Sequence, residues 1–285
     1  MDRMRSEMEV CFMNLVIPVA GAGMRFQNVG YKLPKPAIPT TDRRTGGKVP
    51  MAVLAIMDLP GVNRNGSNVI CIDRAFNKNS DLEQAITKYY PDVRFVRTKA
   101  LTQGQACTCL LAKDMIDNNE ELLIASCDTG MVMNNDEFDA LRNETDVLVF
   151  THRHSPAVTK KPEAYGWIAT NDKGRAVKIS VKKPISNNPS EDHAVTGTFW
   201  FRSGKSFVQS AEKMIREDDR INGEFYVDEV IKHALSLDMD VRVFEIDRYI
   251  GWGTPEDYEE YEATLAYWQR FISGNEFHQL TDGKK

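Results

Sequence analysis

Apolar residues along this chain follow two rhythms. Short unbroken runs at residues 15–20, 68–73, 93–96, 122–126 and 146–151 alternate with longer stretches of helical spacing. A short apolar run bounded by glycine or turn residues reads as a strand buried on both faces, as in a parallel sheet. Residues 50–59, 82–89, 105–116 and 138–142 read as the helices between them. The 105–116 stretch is apolar almost all round, which predicts one buried helix, and Asn135 or Asp136 is available to cap 138–142. Residues 26–41 carry Pro34, Pro36 and Pro39 and read as an ordered loop.

The rhythm then changes. Residues 165–170 and 176–182 flank Asn171-Asp172-Lys173-Gly174 and predict a β-hairpin. Strands follow at 194–202 and 241–246, with helices at 205–216 and 226–237. A terminal helix over 255–272 opens with Thr254 and a proline. The first half therefore reads as a doubly wound α/β unit and the second as mixed α+β. No Pro/Gly/Ser-rich linker separates them, so one domain over 13–274 is expected. Residues 1–12 form an appended arm in this reading, and 275–285 a tail.

Composition narrows the function classes. An apolar fraction of 42% supports a sizeable core, and a net charge of −5 argues against a nucleic-acid partner. Met1–Glu9 mixes charge signs without an apolar core, so it does not read as a signal peptide. No run reaches membrane-span length, and a cytoplasmic protein with no membrane association is expected. The odd count of five cysteines, placed in apolar segments, argues against a disulfide framework. Cys107 and Cys109 read as small buried hydrophobes rather than a metal pair.

Parallel strands bind ligands at their carboxyl ends. Three features fall at such ends: Gly21–Arg25 after the first strand, Cys127-Asp128 after 122–126, and His152–His154 after 146–151. At the first, Ala20-Gly21-Ala22-Gly23 precedes Arg25, and Lys35-Pro36 follows. A glycine turn exposes backbone N–H groups with no Cβ in the way, so polyphosphate can approach closely while Arg25 and Lys35 supply charge. His152 and His154 share one face if the strand continues, although no third metal ligand is evident. Tyr249, Trp252 and Tyr258 read as packing for the terminal helix rather than as a stacking platform.

Gly21-Ala22-Gly23-Met24-Arg25-Phe26 with Pro34-Lys35-Pro36 resembles the signature of the sugar-1-phosphate nucleotidyltransferases, in the short form without a β-helix domain. Gln103-Gly104-Gln105-Ala106, Ser126-Cys127-Asp128 and Tyr165-Gly166 followed by Lys182-Lys183-Pro184 extend the resemblance. So do Val195-Thr196-Gly197-Thr198, Gly223-Glu224-Phe225-Tyr226 and Gly253-Thr254-Pro255-Glu256-Asp257. The resemblance implies a Rossmann-like, mainly parallel sheet flanked by helices, with an inserted smaller β region for the acceptor.

It also implies a reaction. A sugar 1-phosphate attacks the α-phosphorus of an NTP and gives an NDP-sugar and pyrophosphate, in the service of surface polysaccharide or glycoconjugate synthesis. By match, Ala20, Gly21, Gly23, Arg25, Gln103 and Gly104 would hold the nucleotide, with Arg25, Lys35 and Lys183 as catalytic cations. Asp128 would hold Mg²⁺, and Gly166, Lys182, Lys183, Gly197 and Glu224 would line the acceptor pocket. Short relatives form homodimers or homotetramers.

Two departures stand out. Gly251 occupies the position where the family places a second metal-binding acid, and Asp247 is only a weak substitute. Lys182 stands where a glutamate would accept hydrogen bonds from sugar hydroxyls. An ammonium only donates, which suits an acidic acceptor; the alternative is a lysine pointing into solvent. These departures keep two further readings open: a cytidylyltransferase acting on a non-sugar phosphate, and a non-catalytic nucleotide-sugar-binding homologue. A glycosyltransferase would want an Asp-x-Asp motif, which Asp128-Thr129-Gly130 does not supply.

Overall fold

The computed structural model describes residues 13–75 and 81–273; the expected arm and tail lie outside the described residues. In chain order the elements are β1 (Met13–Pro18), α1 (Met24–Asn28), β2 (Pro39–Thr41), β3 (Lys48–Pro50), α2 (Met51–Met57), β4 (Val69–Arg74), α3 (Asp81–Tyr89) and β5 (Arg94–Thr98). There follow α4 (Gln105–Cys109), α5 (Lys113–Ile116), β6 (Glu121–Ile124), β7 (Thr129–Val132), α6 (Asn135–Arg142), β8 (Val147–His152) and α7 (Pro156–Lys160). The chain continues with β9 (Gly166–Thr170), β10 (Ala176–Val181), β11 (His193–Phe201), α8 (Gly204–Arg216), α9 (Val227–Ser236), β12 (Val241–Glu245), β13 (Arg248–Gly251) and α10 (Pro255–Ile272).

Among the described residues one nine-stranded sheet runs through both halves, in the order β10-β9-β11-β6-β1-β4-β5, with β8 pairing β11 and β12. Strands β5, β4, β1 and β6 are mutually parallel, and β11 runs against β6, β8 and β9. This is the Rossmann-like, mainly parallel mixed sheet that the resemblance implies. Its strands are apolar on both faces because both are covered. Leu15, Ile17, Cys71 and Leu123 pack with α2 and α3 on one side. Val16, Ile70, Ile72, Leu122 and Ile124 pack with α4, α8 and α9 on the other. No helix among the described residues is long and apolar enough to cross a membrane.

Four local expectations need correction. Residues 26–41 are not simply a loop: Gly23, left-handed at φ 66°, opens α1, and a 3-10 turn over Lys35–Ala37 leads into β2. The 105–116 helix is three pieces, α4, a 3-10 turn over Leu110–Ala112 and α5, with Leu111 42% exposed. Asn134, rather than Asn135 or Asp136, caps α6, accepting from the backbone N–H groups of Asp136 and Glu137. Finally, the paired imidazoles do not form. β8 ends at His152, and His154 turns away with φ 56° to face Glu191 at the surface.

His152 is instead a buried aromatic plate. It stacks on Tyr249 with ring centroids 4.1 Å apart and planes 4° from parallel. Neither ring nitrogen has a hydrogen-bond partner among the described residues. Burial pushes its pKa down from 6.5 to about 4, against the opposing pull of the Glu245 carboxylate. A histidine depressed in this way stabilises the fold above pH 6.5, and that contribution is lost as pH falls through about 4. A His152→Phe protein keeps the stack without the titration. Its melting temperature between pH 7 and pH 4 should fall less than that of the wild type, by the equivalent of about 2–3 kcal/mol. Parallel pH profiles would refute the assignment.

Candidate active site

The crevice of a doubly wound sheet opens where neighbouring strands send their connections in opposite directions. Here β1 has β4 on one side and β6 on the other, so the crevice lies between the carboxyl ends of β1 and β6. A cavity of about 600 Å³ occupies that place. Its walls include Ala20–Arg25, Lys35, Gly104, Gln105, Ser126, Glu224, Tyr226 and Gly253. Most of the sequence-predicted nucleotide residues therefore meet in one cleft.

The floor, at Lys35 and Ser126, rests on Asp128, which is not itself in the cavity lining. Lys35 Nζ lies 2.5 Å from Asp128 Oδ2, and Ser126 Oγ donates to the other carboxylate oxygen. The proline on either side of Lys35 confines its backbone, and buried Pro36 and Ala37 anchor the short turn. Burial would lower the Lys35 pKa, but the Asp128 carboxylate more than reverses this and pushes it up to about 12. Burial would likewise raise the Asp128 pKa. The Lys35 ammonium, the Ser126 hydroxyl and the charge of Arg25 outweigh it and hold the carboxyl below its ordinary value. Both groups are thus charged across the neutral range.

Asp128 is also held through its backbone. β13 pairs antiparallel with β7, opposing Gly251 to Thr129, and the Trp252 N–H donates to the Asp128 carbonyl at 2.9 Å. Trp252 is fully buried, and Gly253 brings its Cα close enough that a Cβ would sit 3.3 Å from Asp128 Oδ2. Gly251, where a second acid was sought, packs under Tyr249: a Cβ there would lie 2.9 Å from that ring. Asp247 is exposed. Neither offers a second carboxylate beside Asp128.

Around this floor the remaining residues divide. Arg25 is exposed at the cleft wall and makes no ion pair among the described residues. Gly104 closes on the segment before α9: at φ +132° its N–H side lies so near Phe225 that a Cβ would meet that backbone at 2.5 Å. Gln103 turns outward, its Oε1 accepting from Arg220 Nη2 at 3.0 Å, while Gln105 lines the cavity in its stead. Gly197, at φ +83°, faces Ser126, and Gly166 lies against Asp228, whose Oδ1 would be 2.2 Å from an added Cβ. Lys182 is half-buried with its head toward Tyr226 and Lys183 is exposed; neither is in the cavity lining, although Tyr226 is.

Asp228 is the residue that the sequence reading missed. It sits in the first turn of α9, and burial pushes its carboxyl up to about 6, beyond what its own backbone N–H and the Lys182 ammonium offset. Only the glycine at 166 signalled it, because the reason for that glycine is the carboxylate packed on it. A separate cluster could coordinate a divalent ion: Asp219, Glu229 and His233 bring ligand atoms within 4.8 Å of one another. The Lys232 ammonium already pairs with Asp219 and Glu229 there. This cluster belongs to the α8–α9 junction and not to the cleft floor.

Over residues 15–267 the chain matches the model of the nucleotidyl transferase family. Among solved structures, a nucleoside-diphosphate-sugar pyrophosphorylase from Vibrio cholerae RC9 superposes with a TM-score of 0.69 at 17% identity, covering 87% of this chain and 98% of that one. The inositol-1-phosphate CTP transferase from T. maritima gives a TM-score of 0.65 at 16% identity, over 88% and 94% of the two chains. These two likenesses are of fold. No curated protein sequence matches at a significant level.

The Gly104 contact yields a direct check. Gly104→Ala adds a methyl within 2.5 Å of the Phe225 backbone at a φ that L residues avoid. Urea denaturation should show a loss of roughly 2 kcal/mol or more, and a loss below about 0.5 kcal/mol would mean that the turn is not built this way.

Proposed function

The chain belongs to the nucleotidyl transferase family and transfers a nucleotidyl group to a phosphorylated substrate; from that premise we propose that it couples an NTP to a sugar 1-phosphate, with Mg²⁺ as cofactor. The observation that carries this reading is the convergence of the Gly21–Arg25 turn and Lys35 on one crevice between β1 and β6, with Asp128 held against it by Lys35 and Ser126. An acceptor phosphate oxygen forms a bond to the α-phosphorus. The bond from that phosphorus to the α–β bridging oxygen breaks, and pyrophosphate leaves with the electron pair.

The attacking phosphate is already an anion near neutral pH, so no side chain has to take a proton. What the site must supply is alignment and compensation of crowded negative charge. Gly21 and Gly23 present backbone donors to the triphosphate, and unpaired Arg25 takes the departing pyrophosphate. Lys35 compensates charge at the α-phosphate. Gly104 and Gln105 face the base, a role the geometry supports better for Gln105 than for outward-turned Gln103. Glu224 lines the cavity at the acceptor end, to which Gly166, Gly197, Lys182 and Lys183 are assigned by their match to the family's motifs.

Asp128 fits a magnesium ligand. It is an ionised hard-oxygen donor at the cleft floor, and Mg²⁺ commonly takes one or two carboxylates together with substrate phosphates. When bound, the ion would neutralise phosphate charge. Asp128 would hold it through Oδ1 or Oδ2, with Lys35 handing its charge over to the substrate. A reaction that consumes NTP suits the cytoplasm, and products of this kind feed glycoconjugate assembly.

Pyrophosphate release over a matrix of NTPs and sugar 1-phosphates tests the proposal. At least one pairing should turn over with Mg²⁺ and stop on chelation. Asp128→Asn should lower that turnover by roughly 10²-fold or more. Release from no pairing, or unchanged turnover in Asp128→Asn, would overturn the acceptor class and the metal assignment respectively.

A further inference from the structure

Lys182 is the charged group of the acceptor end whose placement is least explained by the fold. It follows β10 directly and adopts φ 60°, a left-handed conformation that costs a non-glycine residue of order 1 kcal/mol. Its N–H donates to the Tyr165 carbonyl at 3.0 Å, which fixes the turn. The side chain does not reach away into solvent. Nζ donates to the Ala164 carbonyl at 2.7 Å and stands 5.5 Å from the centre of the Tyr226 ring, itself part of the cavity wall.

The ammonium is therefore half-buried beside a carbonyl and a ring, with no carboxylate in ion-pair contact among the described residues. Asp228 from α9, Glu224 from the preceding turn and Arg25 from the glycine turn are the charged groups that act on it. Desolvation lowers its pKa, Arg25 lowers it further, and the two acids pull the other way. A half-buried cation lacking a paired anion is costly. Of its three N–H donors one is committed to Ala164, and two remain for a ligand.

We propose that Lys182 is the specificity-determining residue of the acceptor pocket, selecting acceptors that carry a second anionic group, a carboxylate or a further phosphate, beside the reacting phosphate. This rests on the nucleotidyl-transfer reading above and narrows its substrate class. The anion completes the charge that the fold leaves half-buried beside Tyr226, which lines the cavity. A neutral sugar could give its hydroxyls to Asp228 and Glu224, but it would leave the ammonium uncompensated.

The test uses two acceptors of nearly equal shape, glucose 1-phosphate and glucuronic acid 1-phosphate, with the full-length wild type, Lys182→Gln and Lys182→Arg. Wild type should favour the acid in kcat/KM by about tenfold or more, the size of one charge-assisted hydrogen bond. Lys182→Gln should erase that ratio chiefly through KM, and Lys182→Arg should recover part of it. A strut that merely ties β10 to Ala164 would cost stability or lower both acceptors together. Equal losses for the two acceptors, or a wild-type preference for glucose 1-phosphate, would overturn the proposal. If neither acceptor releases pyrophosphate with any NTP, calorimetric binding of the two acceptors decides. Tighter binding of the acid by wild type, lost in Lys182→Gln, upholds Lys182 while the sugar-phosphate reading of the reaction fails; no difference between the proteins overturns Lys182 as well.

Discussion

The architecture turns on the forking of one strand. β11 serves β8 along one edge, and on the other it must serve two partners in succession. Its first residues pair with β9 and its last with β6, and along the β8 edge the register slips between Val195 and Phe199, around Gly197. The irregularity in the β8 ladder bends β11 where its other edge passes from β9 to β6, and a glycine at φ +83° accommodates the bend. The gap left between β6 and β9 is where the polar chemistry collects. Ser126 faces Gly197 across it, and Asp128 follows immediately.

Charge within the cleft is distributed rather than balanced pair by pair. The floor is neutral as a unit, because the Lys35 and Asp128 charges cancel in close contact. The walls are not paired in this way: Arg25 has no ion-pair partner among the described residues, Glu224 is of opposite sign, and Lys182, beside the Tyr226 of the wall, has only a carbonyl and an aromatic face. Unpaired cations around a neutral floor attract polyanions without committing in advance to a geometry, and focused fields in clefts speed such encounters.

Much of this was legible in the sequence, for identifiable reasons. The parallel strands announce themselves as short apolar runs because both faces are covered, and the glycine turn, Lys35 and Asp128 lie at their carboxyl ends as topology requires. What escaped notice was the short and the paired. β7 and β13 are only a few residues long, and each is stabilised by the other across a wide sequence gap, so neither has a local pattern. Gln103 and Gln105 stand two apart in one segment, and only the contact with Arg220 tells which faces out. Asp228 is invisible to composition or spacing, since it packs from α9 against a glycine in β9, far away in sequence.

The tie between Trp252 and Asp128 bears on how the protein is made. The glycine turn is synthesised early, yet the carboxylate beside it is set in place by a backbone bond and a β-pairing supplied from near the last helix. Chains emerge from their N-terminus, and contacts distant in sequence form last. A growing polypeptide can thus assemble β1, β4, β5 and β6 while the cleft floor is still unfinished. Competence arrives in one late event, when β13 docks, and partly synthesised chains carry the turn without the site.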